Sequence, residues 1–226
     1  STLPLHDALP SSIAAPGRPA DVISADSRQV YRGMDVGTAK PTLAERRGVP
    51  HHGLDLADPD AAFSVADFAD HADGVLAALA ARDGVALLVG GTGFWIRAVA
   101  GGMALDDLPW DRALRATLEA DLARDGLLPM ADRLRRAAPV LAATTDLRNP
   151  RRVVRALEIV TLRGDGPLPA PRGYPAPLLR IGLDVTDHAT HRGWMARRAM
   201  AQLDGGILEE AAALRARHDP RCPAFS

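Results

Sequence analysis

Two short, largely apolar runs, Val22–Ala25 and Val85–Val89, each stop abruptly at a cluster of polar or glycine residues. The first leads into Asp26, Ser27, Arg28 and Gln29, then Tyr31, Arg32 and Gly33. The second leads into Gly90-Gly91-Thr92-Gly93. Runs of this length with such flanks predict buried strands of a parallel sheet, each delivering a loop from its carboxyl end. Parallel strands need a crossover, and helical spacing over Val65–Arg82 supplies one, with Ser64 as N-cap and Asp67 in the first turn. A helix starts again over Phe94–Val99. Strand, glycine turn and helix in this order predict an α/β fold, in which ligands bind beyond the carboxyl ends of the strands.

Strand signals vanish between Leu105 and Pro150. Leu114, Leu118 and Leu122 form one helical stripe and Met130–Ala138 a second, with Arg112, Arg115, Arg124, Arg133, Arg135 and Arg136 interspersed. The domain expectation is therefore an α/β core over 20–104 and 150–226, interrupted by a helical insertion over 105–149. Asn149-Pro150 opens a further helix with Val153, Val154, Leu157 and Val160 as its apolar stripe. Residues 164–177 read as a Gly- and Pro-rich loop and Leu178–Val185 as another strand. Helices are expected over about 188–203 and 206–217. Residues 1–19 have no useful periodicity and read as a non-native or disordered head, set aside from the fold.

Bulk composition excludes a few classes. The chain has 226 residues, 47% hydrophobic and 24% charged, ordinary for one globular core. Its formal net charge of −1 speaks against a uniformly basic coat while leaving room for a local basic face. Lys40 is the only lysine, so arginine supplies nearly all the positive charge. One cysteine, Cys222, allows no internal disulfide and fits a reducing, cytoplasmic setting. No apolar run reaches membrane-spanning length.

The stretch Ile23–Pro41, ISADSRQVYRGMDVGTAKP, resembles the signature of the tRNA dimethylallyltransferase (IPP transferase) family. Similar blocks follow in family order: Val49–Pro59, Ser64–Phe68, Leu87–Ala98, Asn149–Ile159 and Ile181–Val185. The resemblance implies a P-loop NTPase-like α/β core with a helical insertion. It implies transfer of a dimethylallyl group from dimethylallyl diphosphate to the N6 amine of adenosine 37, in tRNAs reading codons that begin with U, and it implies a monomer. Magnesium on the diphosphate is expected with it. The family carries a P-loop ahead of its ISADS strand. This chain has no Gly-Lys-Ser/Thr sequence, so the chain as written is expected to be an inactive, poorly soluble fragment of such an enzyme.

The resemblance also assigns residues. Asp26 matches the general base, for which a carboxylate suits an aryl amine that turns cationic as its bond forms; by composition alone it reads as a turn cap. Ser27, Arg28 and Gln29 match the segment contacting the target nucleotide, where an amide can read a base edge and a guanidinium can pair with phosphate or stack. Thr92 matches a threonine at the reacting centre. Arg115 and the block Arg151, Arg152, Val153, Val154 and Arg155 match tRNA-contacting positions. Arg198, beside Arg197, matches an arginine facing the diphosphate, although Trp194 stands where a basic residue is expected. His51 and His52 read as structural, since adjacent histidines rarely ligate one ion. Three other readings stay open: an adenylate isopentenyltransferase, a small-molecule kinase and a non-catalytic tRNA-binding protein.

Overall fold

The computed structural model describes residues 18–103, 108–171, 173–185 and 187–225. They form two compact units, an α/β unit built from residues up to Gly102 and from Gly173 onward, and a helical unit over Met103–Arg172.

The α/β unit is centred on three parallel strands in the order β2-β1-β3: β1 Ala20–Ser24, β2 His51–His52 and β3 Val85–Val89. β1 pairs with β3 from Ala20↔Val85 to Ser24↔Val89, which brings the two carboxyl ends level. A four-residue helix, α1 Leu43–Arg46, precedes β2. The crossover to β3 is α2, Val65–Ala80. It starts as the sequence leads one to expect: Ser64 accepts from Asp67 N, and the Asp67 carboxylate accepts from Ser64 N. Its buried residues Phe68, Ala72 and Leu79 pack into a core with Ile23, Val30 and Trp95. Trp95 belongs to α3, Gly93–Arg97, and stacks on Phe68 at 4.3 Å, fastening the helix that follows the glycine turn.

The helical unit consists of α4 Arg112–Asp125, α5 Leu127–Ala137, α6 Pro139–Thr144 and α7 Pro150–Arg163. Leu118, Leu134, Val153 and Leu157 are fully or almost fully buried in its core, each worth about 1.5–3 kcal/mol of burial. Asn149 accepts from Arg152 N and Pro150 fills the first turn, so α7 starts at the expected residue. α7 buries six residues against α4 and α5. The compact helical unit thus takes in a helix assigned above to the α/β core, because the apolar stripe of α7 is matched by the stripes of α4 and α5.

Past the helical unit come α8 His188–Asp204 and α9 Ile207–Arg217, within a residue of expectation, and a 3-10 turn Pro223–Phe225. Between Gly101 and Gly173 the chain closes on itself, with Gly173 N donating to Gly101 O at 2.8 Å. A Cβ on Gly101 would lie 2.1 Å from the Gly173 carbonyl, so only glycine fits there.

Three expectations need correcting. Leu178–Val185 is irregular and pairs with no strand among the described residues; Leu179, Ile181 and Leu183 are 83%, 72% and 72% exposed. Apolar β-formers make a strand only where a partner edge and a packing layer receive them. Val85–Val89 is half-buried throughout rather than buried; among the described residues β3 has a strand neighbour, β1, on one side only. The head expected over 1–19 lies outside the described residues except for its last two, and those belong to the fold: Arg18 pairs with Asp83 at 2.8 Å and Pro19 O accepts from Val85 N.

Candidate functional site

β1 and β3 end side by side, and the loops leaving them are tied together. Ala25 N donates to Val89 O at 2.7 Å and Thr92 N to Ala25 O at 3.2 Å. Gly90 permits this approach, since a Cβ there would sit 2.3 Å from Ala25 O. The Thr92 hydroxyl precedes α3 but makes no side-chain cap to it. Instead it accepts from Ser27 N at 3.1 Å and lies 3.4 Å from the Ser27 hydroxyl. Asp26, Ser27 and Thr92 thereby share one polar cluster at the carboxyl ends of adjacent strands.

Within it, Asp26 Oδ1 accepts from Arg28 N at 2.8 Å and from Gln29 N at 3.4 Å. This is the turn-capping geometry that composition alone suggests. Its other oxygen, Oδ2, takes no hydrogen bond from the described residues. One oxygen thus fixes the side chain while the other stays available as an acceptor.

Gln29 is saturated by the fold: its amide nitrogen donates to Thr38 O and Ala39 O at 3.1 and 3.2 Å, and its amide oxygen accepts from Ser24 Oγ at 2.7 Å. Arg28 donates to Pro223 O and Ala224 O at 3.3 and 3.0 Å. Both residues stand beside Asp26, yet their polar groups hold chain segments in place.

Lys40 is almost fully buried and donates to Asp35 and Asp55 at 2.6 Å and to Tyr31 O at 2.9 Å, stapling the loop that follows Gln29. His52 bonds the buried Asp21 carboxylate at 2.8 Å from one side, and Arg82 bonds it at 2.6 Å from the other. His51 bonds Val49 O at 2.9 Å. Both histidines are therefore engaged in the fold. Arg198 is exposed on α8, as are Trp194 and Arg197.

The remaining candidates lie in the helical unit. Val153 and Val154 are 0% and 2% exposed, so their side chains are core. Arg151 and Arg152 are exposed on the first turn of α7. Arg115 and Arg155 converge on Glu158, whose side chain is fully buried. Arg155 reaches the carboxylate at 2.5 Å and Pro109 O at 2.8 Å, and Asp111 N supplies a further donor at 3.1 Å. Burial alone would raise the Glu158 pKa. The hydrogen bonds from Arg115, Arg155 and the Asp111 amide outweigh it and hold the carboxyl below its ordinary value.

Sequence reasoning missed Glu158, although a lone acid inside the apolar stripe of α7 signals a buried partner. It also missed Lys40 as a staple, for which a solitary lysine gives no signal. Among the described residues no group of three His, Cys, Asp or Glu side chains could hold a metal ion. No residue is assigned to magnesium, and no step below runs through the ion.

Residues 29–226 match the family described as IPP transferase. The chain belongs to that family. A tRNA dimethylallyltransferase of Herminiimonas arsenicoxydans is 43% identical over 209 residues, covering 89% of this chain and 64% of the relative. The chain thus spans just under two thirds of that relative's length. Among solved structures, the full-length tRNA isopentenylpyrophosphate transferase of Bacillus halodurans superposes with a TM-score of 0.60 at 39% identity, over 91% of this chain and 64% of that one. A eukaryotic dimethylallyltransferase acting on tRNA superposes at 0.67 over 88% of this chain and 50% of its own; at 21% identity it speaks for the fold alone. The expected P-loop-type α/β class agrees with these likenesses. No helix among the described residues is long and apolar enough to cross a membrane.

Proposed function

We propose that this IPP transferase chain carries the adenine-binding and proton-accepting part of a tRNA dimethylallyltransferase. The observation that supports it best is the state of Asp26: one carboxylate oxygen fixed by two backbone amides, the other unengaged, at the carboxyl end of the central strand. The N6 nitrogen of adenosine 37 attacks the primary carbon of dimethylallyl diphosphate. The carbon–oxygen bond breaks, diphosphate leaves with the electron pair, and the N6 proton passes to Asp26 Oδ2. The new N–C bond makes the nitrogen cationic before that transfer, so a nearby carboxylate stabilises the transition state more than the ground state.

The Thr92 hydroxyl, held against Ser27, is assigned to orient the reacting groups. Ser27, Arg28 and Gln29 shape the wall that receives the base, which leaves the anticodon-loop stack at a cost of a few kcal/mol. Arg198 is assigned to the diphosphate. Arg115, Arg151, Arg152 and Arg155 are assigned to tRNA phosphates, with Val153 and Val154 as the packing that supports them. Magnesium is part of this proposal and would supply counter-charge to the leaving diphosphate. The setting proposed is a cytoplasmic monomer.

The test is prenyl transfer from labelled dimethylallyl diphosphate to an anticodon stem–loop with consecutive adenines. It is run on this chain alone and on the chain joined to the P-loop head and carboxyl-terminal tail of a family member. Activity of the joined protein, abolished by Asp26→Ala, is the expected result. A folded, RNA-binding joined protein that transfers nothing would overturn it in favour of a binding protein. Turnover of free AMP in place of the stem–loop would move the substrate to adenylate.

A further inference from the structure

Three successive amides in the loop after Gly33 converge on one side chain from the far end of the chain. Asp35 N and Val36 N donate to Glu210 Oε2, each at 2.7 Å, and Gly37 N donates to Glu210 Oε1 at 3.0 Å. Glu210 sits in the first turn of α9. From α8, Gln202 Nε2 donates to Val36 O at 3.2 Å and Gly37 O at 2.9 Å. A row of backbone amides around a carboxylate is a strong, directional anchor. α8 itself has no buried residue with which to dock by packing.

The same loop is gripped from its other side by the candidate site. Thr38 O and Ala39 O accept from Gln29 Nε2, Gln29 Oε1 accepts from Ser24 Oγ, and Gln29 N donates to Asp26 Oδ1. A continuous run of hydrogen bonds therefore leads from Glu210 and Gln202 through residues 35–39 to Gln29 and Asp26. We propose that Glu210 and Gln202 are positioning residues that hold the Asp26–Gln29 loop in register with α8, the helix that carries Arg198. In the reading above, on which this proposal rests, the acceptor and donor sides of the reaction are aligned by that clamp.

Lys40 ties the loop to Asp55 and Tyr31 independently of Glu210. The experiment is amide hydrogen exchange on the whole 226-residue chain, comparing Glu210→Ala, Glu210→Gln and Gln202→Ala with the parent. Glu210→Ala is expected to speed exchange at Asp35–Gly37 at least tenfold and at Arg28 and Gln29 several-fold, with partial recovery in Glu210→Gln. Faster exchange confined to residues 35–37 would overturn the proposal, leaving Glu210 as a helix anchor only. Should Glu210→Ala unfold, Gln202→Ala carries the same readout.

Binding of a fluorescent anticodon stem–loop separates this idea from the functional reading. If Gln29→Ala and Glu210→Ala each weaken binding about tenfold, both stand. If Gln29→Ala weakens it and Glu210→Ala does not, positioning is overturned. If neither does while exchange at Arg28 and Gln29 still rises, the positioning holds and the assignment of this loop to RNA falls.

Discussion

The backbone amide of Ser27 donates to the hydroxyl of Thr92 across 65 residues of sequence, joining the loops that leave β1 and β3. A valine at 92 fills the same space but leaves the amide without its acceptor. Thr92→Val should lower the unfolding free energy by about 1 kcal/mol, and Thr92→Ser should restore most of it. Urea unfolding midpoints check this. Equal midpoints for the parent and the valine variant would show that the tether adds nothing.

Glu158 is expected to be the most sensitive polar position of the helical unit. Glu158→Ala leaves two arginines facing each other around a hole, at a cost of about 3 kcal/mol, the low end for breaking a buried pair since both guanidinium groups retain some solvent. The carboxyl is held below its ordinary 4.5, so its contribution is complete above that pH and is lost as the pH falls through the folded-state value. Thermal unfolding of the parent and Glu158→Gln should therefore differ most near neutrality and converge in acid. A gap that persists undiminished in acid contradicts the ion-pair account.

His71 is expected to give the α/β unit a second, milder acid sensitivity. Burial, then the charge of neighbouring His52, lowers its pKa from 6.5, and its Nε2 accepts from Gly53 N at 3.3 Å, which needs the neutral ring. The unfolded chain binds the proton more readily, so stability is complete above about pH 6.5 and declines below it. His71→Gln should flatten that part of the stability–pH curve. An unchanged slope between pH 6.5 and 5.5 would assign it to other groups.

Gly90→Ala tests the meeting of the two loops directly. The added methyl collides with Ala25 O at 2.3 Å, so one strand end must move. The expected loss is about 2–3 kcal/mol, read from the denaturant midpoint, together with faster amide exchange at Ala25 and Thr92. The control Gly91→Ala, with open space around its site, should cost much less.

Most of this architecture could be read from local signals. Ser64 and Asp67 fixed the start of α2, Asn149-Pro150 fixed the start of α7, and the apolar run Val85–Val89 coincides with β3 to the residue. Leu178–Val185 misled because propensity describes a segment, whereas pairing depends on a partner far away in sequence. The limits of the helical unit were obscured for a related reason: α7 looks equally amphipathic whichever core it joins. At the candidate site, the residue types of Asp26–Gln29 and Thr92 were visible, but not the bonds that commit Arg28 and Gln29 to carbonyls of residues 38, 39, 223 and 224. Those contacts join segments up to 196 residues apart, beyond the reach of any periodicity.

The bond between Gly101 and Gly173 has an evolutionary side. Because the chain leaves and rejoins the α/β unit at two adjacent points, the intervening segment can lengthen, shorten or be exchanged for another without altering the spacing of the strands around it. A lineage could then vary that segment as a cassette and leave the adjoining carboxyl ends of β1 and β3, with Asp26 and Thr92, as they are.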